Sequence, residues 1–177
     1  MPFIKAGRRT QDPFIRIAED AAVPATGPVL ISAERLLAAA ADYIQRQAPT
    51  GVIWPNNRSI AELAPFLDHL AVVALVFPSF RDGRAYSQAR LLRERYKFRG
   101  ELRATGDVLR DQFVFLTRAG FDAFEVKKDK DADAFAQVLT RFSVVYQPSA
   151  DSRTAVLQQR LNDEISPDRA LRQEAVS

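Results

Sequence analysis

Short apolar runs alternate with amphipathic stretches along the middle of the chain, and this alternation predicts repeated strand–helix units. The predicted strands lie at 29–31, 52–54, 71–77, 101–105 and 121–126, and a further strand is predicted at 144–146. The run Ala71–Phe77 is apolar at every position, which is typical of a strand that is covered on both faces.

Amphipathic stretches between these runs predict the helices, at 33–47, 59–67, 84–96 and 108–119, with another beginning at Asp131 or Asp133. Ser32 and Ser59 precede two of them and are suited to cap their first turns. Gly120 follows the helix at 108–119 and is expected in the left-handed conformation that ends many helices.

The predicted units belong to one domain, which is what a chain of 177 residues normally forms. Residues 1–27 are rich in proline and glycine signals and are predicted to be a loosely structured lead-in. Residues 28–148 are predicted to form the single α/β domain, and residues 149–177 are predicted to be a charged tail that is partly helical or mobile.

Repeated βα units imply a mainly parallel sheet with right-handed crossovers. Two architectures fit, an open doubly wound sheet or a curved sheet that resembles half of a (β/α)8 barrel. Both architectures put the functional edge at the carboxyl ends of the strands. A half-barrel has open edges that need cover, which a homodimer would provide.

Composition excludes several classes of function. The chain has no cysteine, so thiolate catalysis and Cys-ligated zinc or iron–sulfur centres are excluded. Its net charge of +3 is too small to demand nucleic acid and favours anionic partners only mildly. No apolar run approaches the ~20 residues of a membrane span. The start of the chain lacks the apolar core of a secretory signal. The expected location is therefore the cytoplasm.

Polar and basic side chains follow the predicted strands where they end. Arginines close to helix N-termini suit an anion site, because free backbone N–H groups, the helix dipole and guanidinium forks all favour oxyanions. The candidate ligand-binding residues are Ser79, Arg81, Arg84, Arg103, Thr105 and Arg110, and the candidate acid–base residues are Asp82, Asp107 and Glu125. The same loops are also compatible with solvated ion pairs or with a surface for docking a partner.

Other signals are weak. The only histidine, His69, is better explained by packing or capping than by catalysis, since no G-x-S-x-G elbow occurs. Aspartates 129, 131 and 133 alternate as in a calcium loop, but the interleaved lysines argue against a metal site. No G-x-G-x-x-G or P-loop motif is present, so no cofactor is indicated. The aromatic residues that close the strands, Trp54, Phe77 and Phe80, are expected in the core or at its rim.

The stretch Phe77–Val126 contains FPSFRDGRAYSQARLLR, then GELRATGDVLRDQ, then GFDAF. It resembles a bacterial family of unknown function, domain of unknown function nine-three-four, over most of residues 28–148. The matching polar positions are Arg81, Asp82, Gly83, Arg84, Tyr86, Ser87, Arg90, Glu101, Arg103, Gly106, Asp107, Asp111 and Gln112. They overlap the candidate site, although the resemblance supplies no catalytic residue.

The resemblance implies a pathway, because members of this family are typically encoded beside assimilatory sulfite reductase and are labelled as oxidoreductases of sulfite reduction. Three hypotheses follow. The leading one is an accessory protein that binds a small oxyanion, a phosphate-bearing metabolite or the reductase itself at the carboxyl edge. The second is an enzyme that holds an anionic substrate with arginines and uses a carboxylate as acid or base. The third is a structural interaction module.

Overall fold

Eight strands form a single sheet in residues 2–129, the part of the chain that a computed structural model describes. They are β1 (Phe3–Lys5), β2 (Arg8–Thr10), β3 (Ile15–Arg16), β4 (Val29–Ser32), β5 (Thr50–Trp54), β6 (Val72–Phe77), β7 (Glu101–Gly106) and β8 (Ala123–Glu125). Their order across the sheet is β2-β1-β8-β7-β6-β5-β4-β3.

The strands from β3 to β8 pair in parallel with their neighbours. Only β1 and β2 are antiparallel, β1 to β8 and β2 to β1. The predicted parallel sheet is therefore confirmed, with an antiparallel hairpin added at one side. All strand ends from β4 to β8 point to the same edge of the sheet.

The helices within residues 2–129 cover one face of this sheet. Side chains of β6 alternate between two clusters: Val73, Leu75 and Phe77 join the main core with the helical residues, whereas Val72 and Ala74 join a small cluster on the opposite face. A doubly wound sheet would have helices on both faces. The sheet is instead curled like half a barrel, which decides between the two predicted architectures. We call its helix-free side the inner face.

The helices are shorter than predicted. They are α1 (Ala33–Ala38), α2 (Ala40–Gln45), α3 (Arg84–Arg90) and α4 (Phe113–Arg118), with a π-helical turn at Leu91–Arg95 and 3-10 turns at Ile60–Glu62, Ala64–His69 and Arg110–Gln112. The helix predicted at 33–47 is broken at Ala39, whose backbone is not helical. The helix predicted at 59–67 is replaced by two 3-10 turns, where Pro65 removes a backbone donor. Gly120 has φ of 103°, as predicted.

The prediction of a loosely structured lead-in is wrong for residues 3–16. Three of the eight strands lie there, and Phe3 and Ile4 are buried against the sheet. The strands are only two or three residues long, so they lack the periodicity that sequence patterns detect.

Several predictions lie outside the described residues. These are the helix that begins at Asp131 or Asp133, the strand at 144–146, the character of the tail at 149–177, and two of the three alternating aspartates. Within residues 2–129, no helix is long and apolar enough to cross a membrane.

Candidate functional site

The predicted site residues separate into two groups. Six lie in the loops, turns and first helical residues that follow the parallel strands, where they border solvent: Ser79, Arg81, Asp82, Arg84, Asp107 and Arg110. The other three, Arg103, Thr105 and Glu125, lie within strands, and their side chains are buried on the inner face. We call the first region the carboxyl rim (Ser79–Arg84, Asp107–Gln112 and Lys127).

The carboxyl rim is a set of loops that hold each other in place. The backbone N–H of Phe80 donates to the Asp107 carboxylate at 3.0 Å, and the Gln112 amide donates to the Phe80 carbonyl at 2.8 Å. Lys127 donates to the other oxygen of Asp107 at 2.7 Å. The segments that follow β6, β7 and β8 therefore converge, as the parallel topology predicts.

A glycine makes this convergence possible. Gly106 ends β7 with φ of 96°, a conformation that side chains rarely adopt, and a Cβ there would collide with the Phe77 carbonyl oxygen. The next residue, Asp107, donates its backbone N–H to that same carbonyl at 2.7 Å. The turn thus brings the Asp107 carboxylate back to the neighbouring loop.

The clamped loop presents an exposed aromatic side chain with an arginine over it. Phe80 is 42% exposed although both of its backbone polar groups are bonded. The guanidinium of Arg81 lies 5.3 Å from the centre of the Phe80 ring. No carboxylate among residues 2–129 forms an ion pair with Arg81. The adjoining loop adds a second exposed apolar side chain, Leu109.

Two carboxylates of the rim, those of Asp82 and Asp107, are already paired with cations of the rim. Arg84 hydrogen-bonds to Asp82 through both its side chain and its backbone N–H, and this holds the pKa of Asp82 well below its usual range. The hydrogen bonds from Lys127 and from the Phe80 N–H lower the pKa of Asp107. Arg84 is therefore engaged in a local, largely solvated ion pair, the alternative that the sequence left open. Arg110 makes only a loose pair with Asp111, at 3.8 Å.

The inner face carries a polar stripe along β7. Glu101, Arg103 and Thr105 alternate with Leu102 and Ala104, so all three polar side chains point away from the helices. Glu125 of β8 lies beside them, accepting from Thr105 at 2.6 Å and from Arg103 at 3.1 Å. Lys5 of β1 completes the group with an ion pair to Glu101 at 2.8 Å.

Arg103 is the centre of this group and has no solvent exposure. Its guanidinium contacts three carboxylates: Glu101 at 2.8 Å, Glu125 at 3.1 Å and Asp12 at 2.6 Å. The rings of Phe3 and Phe14 lie 4.4 and 5.6 Å from it. Burial alone would lower the Arg103 pKa, but the hydrogen bond to Asp12 and the charge of Glu101 outweigh it, so the pKa is raised.

A segment from the beginning of the chain closes the inner face, and we call Asp12–Arg16 the strap. Asp12 binds both terminal nitrogens of Arg103, at 2.6 and 3.0 Å. Phe14 packs against the small apolar cluster of Leu30, Val72 and Ala74. Arg16 donates to Glu125 and, at 3.2 Å, to Thr105.

Metal ligands are not gathered anywhere in the described part of the chain. Residues 2–129 contain no group of three histidine, cysteine, aspartate or glutamate side chains arranged to hold a metal ion. His69 lies exposed at the end of a 3-10 turn. Trp54 and Phe77 are core residues, and of the three strand-closing aromatics only Phe80 belongs to the rim.

The family signature covers both regions. A family model described as "Bacterial protein of unknown function (DUF934)" matches residues 51–157, more than half of the chain. The chain belongs to this family. No curated protein matches the chain. The DUF934 match contains the whole rim, Arg103 and Glu125, but the strap precedes it.

The sequence alone did not reveal the strap or the clamp, by which we mean the two hydrogen bonds that hold the Phe80 backbone to Asp107 and Gln112. In the DUF934 region, the alternation of Glu101, Arg103 and Thr105 is a signal that could have marked one face of β7 as polar. Asp12 and Arg16 carry no comparable signal, because their partners lie 91 and 109 residues away. The role of Gln112 as the second half of the Phe80 clamp also depends on a contact between loops.

Proposed function

We propose that this chain is an accessory protein of assimilatory sulfite reduction that docks on the sulfite reductase through the carboxyl rim. The pathway rests on the resemblance to a family whose members are labelled for sulfite reduction. The mode of action rests on the rim. One observation carries it: Phe80 is held at both backbone groups by Asp107 and Gln112, yet its ring remains 42% exposed beneath Arg81.

This arrangement has the properties of an interface anchor. Aromatic and arginine side chains dominate the binding energy of protein interfaces. A loop that is already ordered loses little conformational entropy on binding, so more of the contact energy appears as affinity. Exposed Leu109 in the adjoining loop extends the apolar part of the surface.

The charge of the rim determines which kind of surface on the reductase would be complementary to it. Asp82 and Asp107 are neutralised by Arg84 and Lys127, whereas Arg81 has no carboxylate partner among residues 2–129. The rim therefore carries uncompensated positive charge beside an exposed ring. The complementary surface on the reductase is an acidic patch with an apolar centre, and we expect association to weaken as salt is raised.

The environment of the carboxylates favours docking over acid–base catalysis. A general acid or base works best with a pKa near the working pH, which usually requires a raised carboxylate pKa. The pKa values of Asp82 and Asp107 are lowered instead. Arg103, the third arginine proposed to hold a substrate, is engaged with three carboxylates of the protein itself.

The test is a titration of the purified chain against purified sulfite reductase, with and without sulfite. We expect Phe80→Ala and Arg81→Ala each to weaken binding by about thirtyfold, the effect of losing a hot-spot side chain. Leu91→Ala and Arg95→Ala are matched controls, since Leu91 is also 42% exposed and Arg95 also lies over a neighbouring ring, that of Tyr96. Both lie in the π-helical turn that follows α3, outside the rim, and should leave binding unchanged.

Two outcomes would overturn the docking function. One is the absence of saturable binding to the reductase by a folded chain. The other is sulfite binding to the chain alone that Arg81→Ala removes, which would make the rim a ligand site. In cells, Arg81→Ala should prevent growth on sulfate as sole sulfur source. Arg103→Ala would be a poor probe of the rim, since Arg103 is buried.

A further inference from the structure

We propose that the strap is an intramolecular plug in a binding site for a small zwitterion, a molecule of the α-amino acid class that carries one carboxylate and one ammonium group. The site is the polar stripe of the inner face, centred on Arg103 and Glu125. It is separate from the rim, and its test needs no partner protein.

The charges of the sheet and of the strap are complementary. The sheet contributes four charged groups to the inner face: Lys5 and Arg103 are positive, and Glu101 and Glu125 are negative. Lys5 and Glu101 pair with each other, so the strap meets Arg103 and Glu125. The strap contributes one carboxylate, that of Asp12, which pairs with Arg103, and one cation, Arg16, which pairs with Glu125. A molecule that takes the place of the strap must therefore carry both charges.

The Asp12 carboxylate occupies a site that is already arranged to bind an oxyanion. Two parallel hydrogen bonds join it to the terminal nitrogens of Arg103, the bidentate geometry that binds carboxylates best. The Phe3 ring lies against the guanidinium. The remaining hydrogen bond of Asp12, from the backbone N–H of Phe14 at 3.0 Å, lies within the strap and leaves with it. Arg103 is also held by two carboxylates of the sheet, Glu101 at 3.0 Å and Glu125 at 3.1 Å, so the fork remains oriented when the strap leaves.

The position of the Arg16 guanidinium is a built cation site. Glu125 is 4% exposed and is oriented by the Thr105 hydroxyl and by Arg103. Both sites meet at one atom, since the same terminal nitrogen of Arg103 contacts Asp12 at 2.6 Å and Glu125 at 3.1 Å. A small molecule can therefore bridge the two positions.

The strap is attached in a way that permits exchange. Its strand, β3, has two residues and, within the described part of the chain, pairs with β4 alone. The backbone amides of Ile15 and Ile17 make the hydrogen bonds to Pro28 and Leu30 beside it. Ile15 is 61% exposed, so Phe14 is the only large apolar side chain of Asp12–Arg16 that packs on the sheet. The attachment is thus mostly electrostatic, and a molecule with the same two charges competes for the same partners.

A short route leads to the site once the strap moves. A cavity of about 390 Å³ lies beside Asp12, lined by Phe3, Arg9 and Thr10 among others. Phe3 and Asp12 therefore separate Arg103 from solvent at this point. Displacement of the Asp12 side chain would connect the cavity to the guanidinium fork.

The test compares wild type with the double variant Asp12→Asn/Arg16→Gln in the full chain, using glycine as the probe. The variant keeps the shape of the strap and removes both charges. Because a plug lowers the apparent affinity by the fraction of molecules in which the site is open, we expect the variant to bind glycine at least about tenfold more tightly than wild type. Acetate and methylammonium, which each carry one of the charges, should bind at least about tenfold more weakly than glycine.

The matched control is Asp82→Asn/Arg84→Gln, which makes the same two changes in the ion pair of the rim. It should bind glycine no more tightly than wild type. Adding Glu125→Gln to the strap variant should remove the preference for glycine over acetate, because it removes the acceptor for the ammonium group.

Hydrogen exchange on the wild type keeps the proposal testable if the variants do not fold. The amides of Ile15 and Ile17 donate to the carbonyls of Pro28 and Leu30. Saturating glycine should make both amides exchange faster, whereas acetate should not. Unchanged exchange at these amides would overturn the proposal, as would a folded strap variant that binds glycine no better than acetate.

Discussion

The carboxyl rim and the inner face are built from the same strands, yet they use arginine in opposite ways. Arg81 follows β6, is exposed, and has a neighbouring ring as its contact. Arg103 lies inside β7, has no exposure, and contacts three carboxylates. The position of an arginine relative to its strand therefore decides whether it stabilises the fold or can bind a partner. A side chain within a strand lies on one face of the sheet, whereas a side chain in the loop after the strand can contact a partner.

The two regions also differ in what keeps them in place. The rim is held by hydrogen bonds to the backbone of Phe80, so its exposed side chains are not needed for the loop geometry. The inner face is held by ion pairs between side chains around the buried Arg103, so the loss of that charge leaves its carboxylate partners unpaired. We therefore expect substitutions to act on stability at the inner face and on binding at the rim.

The largest effect on stability should come from Arg103→Met. It would leave the Asp12, Glu101 and Glu125 carboxylates without their shared cation in a buried site, so we expect the free energy of unfolding to fall by about 3–5 kcal/mol. Denaturant unfolding measures this change. Arg84→Met, which breaks the solvated pair of the rim, is the control and should leave the midpoint nearly unchanged. Equal effects of the two variants would remove the distinction between the regions.

The strap should contribute less, through its one packed aromatic residue. Phe14 is half-buried against Leu30, Val72 and Ala74, so Phe14→Ala should lower the free energy of unfolding by about 2 kcal/mol. The neighbouring Ile15→Ala should change it by less than about 0.5 kcal/mol, because Ile15 is 61% exposed. A similar loss in both variants would mean that the strap does not lie on the inner face as described.

Substitutions of the exposed rim residues should have small effects on folding. Phe80→Ala should change the free energy of unfolding by less than about 1 kcal/mol, since the loop is clamped through its backbone. Phe77→Ala, three residues earlier in the core, should lower it by about 3–5 kcal/mol. If Phe80→Ala proved as damaging as Phe77→Ala, loss of partner binding in this variant would be a folding effect.

The smallest expected effect is on the pH dependence of the free energy of unfolding, where Asp107→Asn should differ from wild type only through the clamp at Phe80. The pKa of Asp107 is lowered in the folded chain by Lys127 and by the Phe80 N–H. Its contribution to stability is therefore fully present above the unfolded pKa of about 4 and is lost as the pH falls through the lower folded pKa. Unfolding measured from about pH 7 to about pH 2.5 should show a weaker acid dependence for Asp107→Asn than for wild type. Identical profiles would show that the clamp does not depend on charge.

Much of the fold could be predicted because its signals are local. The apolar run of β6 and the amphipathic stretches on both sides of it indicated strands that alternate with helices, and the alternation implied that the strands are parallel. The convergence of the loops after β6, β7 and β8 followed from that topology. Helix lengths were overestimated at two places. Pro65 interrupts the helical backbone because it lacks an N–H, whereas the break at Ala39 has no signal in the sequence.

The sequence by itself determined the order of the main strands and helices, the polar character of the strand ends, and the absence of thiol chemistry. Only the tertiary structure decided that the helices cover one face, that Arg103 is buried while Arg81 is exposed, and that Asp12 and Arg16 close the inner face. The physical reason is the range of the interactions. Periodicity and turn chemistry act over a few residues, whereas the ion pairs of the strap join residues about a hundred positions apart and exist only once the sheet has curled.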